Sequence, residues 1–175
     1  MIGARLLAKR PDRIAARALL DGAVAQSRSA AFFERMGVLD SVEGRFEMLT
    51  LHAIVLLDRL GSDAAAGGLG QKLFDTYVGD LDGALREMGV GDLVVGKRMR
   101  ALAQAFYGRA KAYQQAFSHL PSTDALEGVV LRTALHGSTH PDSRALATYV
   151  VRCRAVLAEQ ATEILGDGQA RWPQP

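Results

Sequence analysis

Apolar residues recur at intervals of three and four along almost the whole chain, and no stretch shows the strict alternation of a half-buried strand. This periodicity predicts an all-α protein built as a single bundle of about six helices. With 175 residues the chain can bury roughly 70% of the surface it exposes when unfolded, so one domain with a real core needs no covalent staple. The single Cys153 excludes an internal disulfide and reads as a small core residue in a reducing compartment. The helical domain is expected over 11–166, with a flexible N-terminal segment at 1–10 and a loose C-terminal tail at 167–175.

Helix signals divide the domain. A first helical region follows Pro11 and Asp12, turns Ile14, Ala18, Leu19 and Ala23 inward, breaks near Ser27 to Ser29, and stops at Gly37 after Phe32, Phe33 and Met36. Asp40 and Glu43 have the spacing of a capping box at the start of a second helix that ends before Gly61. In that helix Phe46, Leu49, Ala53, Leu56 and Leu60 form one stripe, while Met48, Leu51, Ile54 and Val55 cover other faces, so it is expected to lie at the centre. The Ala- and Gly-rich stretch Asp63 to Gly70 reads as the most flexible connection. A third helix is expected to turn Phe74, Tyr77 or Val78, Leu81, Leu85 and Met88 inward, and a fourth to present Met99, Leu102, Phe106, Ala110, Tyr113 and Phe117. A fifth is predicted from Asp124 to Gly137. A sixth, with Pro141 in its first turn, runs through Leu146, Tyr149, Val150, Cys153 and Leu157 to Gly166.

Several function classes find no support. A net charge of only +2 makes the whole molecule a poor magnet for nucleic acid or anionic lipid, so such attraction must be local. The uncharged run Met48 to Leu57 is far short of the about 20 apolar residues of a spanning helix. Arg5, Lys9, Arg10, Arg13 and Arg17 against Asp12 resemble a transit peptide, which keeps the mitochondrial matrix as an alternative to a cytoplasmic location. Gly91 to Arg98 nearly matches a phosphate loop, yet Arg98 stands where a hydroxyl should hold magnesium and a helix precedes it, so it reads as a tight turn between helices. His136 and His140 are separated by Gly137 and followed by Pro141, and with Asp142 they make a poor zinc set. His52 reads as a hydrogen-bonded core residue. No nucleophile stands in a catalytic context, and no carboxylate pair suggests acid and base roles. The expectation is therefore no enzyme, no metal and no cofactor.

Charge is segregated instead. The third helix carries Asp75, Asp80, Asp82 and Glu87, while Leu93 to Ser118 carries Lys97, Arg98, Arg100, Arg109 and Lys111 without an acidic residue. These are either solvated faces that partly pair with each other or a two-signed docking surface in which charge sets orientation.

Two blocks carry a resemblance. The stretch around Gly22 to Leu60, LDGAVAQSRSAAFFERMGVLDSVEGRFEMLTLHAIVLLDRL, resembles the opening of the ubiquinol-cytochrome c chaperone domain. Gln71 to Phe117, containing LFDTYVGDLDGALREMGVGDLVVGKRMRALAQAFYGRAKAYQQAF, is similar to that family's most characteristic stretch through its FD start, ALREMGVGDL, KRM and AFYGR. The resemblance implies an assembly factor that binds newly made cytochrome b before it joins the ubiquinol-cytochrome c oxidoreductase, with no catalytic residues and no cofactor. It further implies a bacterial cytoplasmic protein, with a ribosome, a small partner subunit or a peripheral contact with the inner membrane as additional partners and no DNA. The matching block nominates Phe74, Tyr77 and Met88 around an apolar groove for the client, with Asp75, Asp82, Arg86, Glu87, Asp92, Lys97, Arg98 and Tyr107 at its rim. The alternative of another class is a basic helical module that binds RNA or the ribosome without chaperone activity.

Overall fold

Why the middle of the chain becomes the core follows from the helix Val42–Gly61, which has no polar face over its central turns. Met48, Leu51, His52, Ala53, Ile54, Val55 and Leu56 are all buried, so other helices must surround it. The computed structural model describes residues 9–175 and is all-helical over them, without a strand. In order the helices are α1 (Lys9–Ser27), α2 (Ala30–Glu34), α3 (Val42–Gly61), α4 (Leu69–Glu87), α5 (Asp92–Phe117), α6 (Asp124–Arg132), α7 (Ser143–Ala158) and α8 (Thr162–Gly166), with a single 3-10 turn at Ala64–Ala66. The expected flexible segment 1–10 lies outside the described residues, except for Lys9 and Arg10 at the start of α1.

The all-α bundle and the central place of α3 are as the periodicity indicates. On α7 the expected stripe Leu146, Tyr149, Val150, Cys153 and Leu157 is buried against α3 and α6. On α1 the inward face is shifted: Leu19 and Ala23 are buried as expected, while Ala18 is exposed. Ala15, Ala16, Leu19, Leu20 and Ala23 face inward, and Ile14, expected among them, is 71% exposed. Helix α1 packs on α4 and α8, and the chain just beyond α8 passes close to Ala15 and Ala18 at Gly168.

Helix α3 is capped by Ser41, not by Asp40. Ser41 has extended backbone (φ −129°, ψ 169°), and its hydroxyl accepts the Gly44 N–H at 3.0 Å. Asp40 is taken instead by Arg45, whose Nε donates to it at 2.6 Å. A Cβ built on Gly44 would stand 2.0 Å from the Leu39 carbonyl oxygen, so the chain entering α3 can pass here only beside glycine. Gly44→Ala is expected to lower the free energy of unfolding by about 1–3 kcal/mol in a urea titration, the usual cost of overpacking. An unchanged midpoint would show that the entry loop shifts freely.

The connection Asp63 to Gly70 is tied at its start. One Asp63 carboxylate oxygen accepts the Ala65 N–H at 2.8 Å, and the other takes the Thr162 hydroxyl and Arg59. Helix α6 ends at Arg132, short of the expected Gly137, and α7 starts at Ser143 with Asp142 as its cap, so Pro141 lies just outside it. The tail expected to be loose is bound. Beyond α8 the chain turns at Gly168 (φ +79°), and the Arg171 N–H donates to Gln160 Oε1 at 2.7 Å while Gln160 Nε2 donates to the Arg171 carbonyl at 3.0 Å. Trp172 then packs on the core with its ring 5.1 Å from that of His52. Apolar burial of the indole outweighs the entropy of ordering a short irregular segment, which has no periodicity to announce it.

At the other end α4 and α5 outrun the bundle. From Val78 to Ala105 the sole buried residue is Val95, so this distal hairpin adds little to the core.

Candidate functional site

Two polar ties hold α4 and α5 to α3. Tyr77 on α4 is buried and shares a 2.8 Å hydrogen bond with Thr50 Oγ1, and burial pushes its phenol up to about 12. On α5 the half-buried Arg109 grips the half-buried Glu47 of α3 with two parallel hydrogen bonds, one of them Nε to Oε2 at 2.7 Å. Its third contact, Nη1 to the Ala105 carbonyl at 3.1 Å, fixes the guanidinium against its own helix.

Between these ties and the glycine-rich turn lies a groove of about 520 Å³. Leu57 and Leu60 of α3 form one wall, and Phe74, Phe106 and Tyr107 form the other. The aromatic wall is continuous: Phe74 lies 5.2 Å from Phe106 and 5.6 Å from Tyr107, and Tyr77 backs Phe106 at 5.2 Å. The end wall is bare backbone, because a Cβ at Gly61 or Gly67 would meet nothing within 4 Å. Gln71, Lys111 and Gln114 form a polar edge. Apolar walls with a few polar groups at the lip suit the side chains of an apolar helix laid across them. A smaller recess of about 340 Å³ between α3 and α7, lined by Val55, Leu120 and Val151, is crossed by the Arg154 to Asp58 ion pair at 2.9 Å.

The residues nominated from the sequence do not form one surface. Phe74 and Tyr107 line the groove, and Tyr77 supports it from beneath without reaching its mouth. Asp75 is exposed on α4, where Gln71 and Lys72 of the same helix hold its carboxyl below the usual range. The rest gather at the distal hairpin, where Asp82 and Asp92 both bind Arg86. Glu87, Lys97 and Arg98 are exposed there. Met88, expected to face inward, is 65% exposed, because α4 has left the bundle by that turn and has no core to meet. Lys97 and Tyr107 are about 15 Å apart along α5 at 1.5 Å per residue. The groove residues not nominated, Leu57, Leu60 and Phe106, carry the same periodic signal as the core. The adjoining run of glycines was the available sign of a recess beside them.

Charge pairing also differs from a simple match between neighbours. Asp80 of α4 takes Arg17 of α1 through two bonds of 2.8 and 2.6 Å, Asp75 takes Lys72, and Arg109 takes Glu47. The aspartates of α4 are thus met by α1 and by α4 itself, and Glu87 forms no ion pair among the described residues. Among the described residues Lys97, Arg98, Arg100 and Lys111 form no ion pair.

The other singled-out residues lie elsewhere. Gly91 to Arg98 is the opening of α5 and not the tight turn expected; Gly91 caps it and α4 precedes it. His136 and His140 are exposed in the connection before α7, and no group of three potential ligands comes together among the described residues. Cys153 is buried and its thiol is pushed up to about 12, which makes it unreactive. His52 is a buried, hydrogen-bonded residue, as its place in α3 suggests.

The model of the ubiquinol-cytochrome c chaperone family matches residues 34–172. The crystal structure of the Cbp3 homolog from Brucella abortus superimposes with a TM-score of 0.85 at 33% sequence identity, covering 99% of this chain and 97% of that one. No curated protein sequence matches the chain.

Proposed function

The chain belongs to the ubiquinol-cytochrome c chaperone family, and we propose that it holds newly made cytochrome b in the groove between α3, α4 and α5 during assembly of the ubiquinol-cytochrome c oxidoreductase. It does so by binding and not by catalysis, in the cytoplasm where the client is made. The observation that carries this reading is the groove itself, where exposed Tyr107 and half-buried Phe74 and Leu57 stand over buried Leu60 and Phe106 beside a bare glycine turn. A client made of membrane-spanning helices exposes apolar surface in water, and such walls can cover one face of it.

The groove is tested by Tyr107→Asp. Tyr107 is 60% exposed at the mouth, so the change puts a charge in the client's path without opening the core. Capture of newly made cytochrome b in a translation extract should weaken at least about tenfold, roughly 1.4 kcal/mol of binding free energy. Thermal melting should stay where it is. Unaltered capture would remove the groove from the mechanism. Deleting the gene should lower both cytochrome b and the assembled oxidoreductase, and normal levels of both would remove the assignment altogether.

A further inference from the structure

The groove is aromatic at one end and polar at the other, and its single charge stands between them. On α5 Tyr107, Lys111 and Gln114 fall at spacings of four and three, so one side of this helix runs along the groove's lip, and all three are exposed. Tyr107 lies 5.6 Å from Phe74 and 6.1 Å from Phe106, which makes the aromatic end. Lys111 follows about 6 Å farther along the helix axis and Gln114 about 10 Å. Lys111 is the one charged side chain that lines the groove, and it forms no ion pair among the described residues. Nearby charges are engaged elsewhere. Arg109 is taken by Glu47 of α3, and Asp75 of α4 by Lys72 and Gln71 of its own helix.

We propose that the groove takes the end of a membrane-spanning helix of the client, with an apolar side chain on the wall of Phe74 and Tyr107 and a carboxylate, four residues away, on Lys111. This rests on the groove being the place where the client is held, and it adds which part of the client is held there. A helix laid alongside α5 advances by the same 1.5 Å per residue, so the distance from Tyr107 to Lys111 spans four of its residues and keeps both side chains on one face. Carboxylates are rare and costly within the bilayer, so a segment that joins an apolar run to a carboxylate is the end of a spanning helix and not its middle. An exposed cation beside an apolar wall adds little to affinity, yet it fixes the register and direction in which a guest lies. A basic residue in the same place would meet the ammonium and be turned away.

Three labelled helical peptides test this with the full chain. Each presents leucines on one face and glutamines on the other, and four residues from the central leucine each carries Glu, Gln or Lys. Fluorescence anisotropy at low salt should rank them in that order of affinity, each step worth about threefold, the size of an exposed charge pair. Lys111→Glu should reverse the order, and raised salt should flatten it. Arg100→Glu makes the same change of charge sign at an exposed position about 17 Å away along α5 and should leave the order as it is. Neither substitution should move the melting temperature. Tyr107→Ala should weaken all three peptides alike. The inference falls if the Glu peptide does not bind, if Lys111→Glu keeps the original order, or if Arg100→Glu reverses it as well. With Tyr107→Ala still weakening capture, those last two results leave the groove as the client's place. Binding that ignores Tyr107→Ala overturns the groove reading along with the inference.

Discussion

Removing Arg171–Pro175 lowers the free energy of unfolding by about 3–5 kcal/mol, the range found when a large aromatic is deleted from a core. The magnitude follows from what the segment covers. Trp172 packs against the core beside His52 and lies alongside α1 at Gly22. Gln160, itself buried, loses both of its bonds to Arg171, and Gln26 loses the Pro173 carbonyl that its Nε2 reaches at 2.9 Å. Each stranded polar group adds a desolvation cost to the lost apolar area. Urea unfolding of the truncated chain measures the total. Trp172 is the chain's single tryptophan, so its emission in the intact protein reports closure of the segment directly. A loss below about 1 kcal/mol would mean that the tail rests on the bundle without holding it.

The second large effect is a loss of stability in mild acid. His52 Nδ1–H donates to the Met48 carbonyl at 2.7 Å, so Nε2 is left to accept the Tyr149 hydroxyl at 2.7 Å, and Tyr149 in turn accepts from Gln26 at 2.9 Å. Each member of this chain has its hydrogens in use only while His52 is neutral. Burial pushes the imidazole down to about 4 from its ordinary 6.5. Below pH 6.5 the unfolded chain binds a proton that the folded chain refuses, so stability present at neutral pH declines from there and levels off below about pH 4. The full loss is roughly 3 kcal/mol, of which about 2 kcal/mol is gone by pH 5. Unfolding titrations at pH 7 and pH 5 measure it, and His52→Gln should flatten the dependence while lowering stability at both. An equal slope in that variant would assign the effect to other groups.

Much of this arrangement could be read from the residues before any coordinates. Helix α3 lacks a polar face, and that alone places it in the middle; the stripe of α7 is equally plain. The family's distinctive block likewise falls on α4 and α5, where the groove lies. What escaped was settled by tertiary contacts with no periodic trace. Ser41 displaced Asp40 as a cap because Arg45 offered the carboxylate a better partner. The inward face of α1 shifted to take in Ala15 and Ala16, and Ile14 was left outside. The tail is irregular and short, so only its lone tryptophan hinted that it was bound. The nominated rim came apart because residues adjacent in a motif can sit at opposite ends of a hairpin.

The distal hairpin has a dynamic consequence. With Val95 as its sole buried residue between Val78 and Ala105, that arm has little apolar area to lose on opening, whereas the body around α3 loses nearly all of its own. Its amide hydrogens therefore exchange with solvent through a local breathing motion far cheaper than global unfolding. A rigid base and a more pliant arm share one chain, and the ties at Tyr77, Asp80 and Arg109 mark the seam between them. Under the proposed function, a guest held at that seam would be let go by bending the arm alone, with the base still folded for the next.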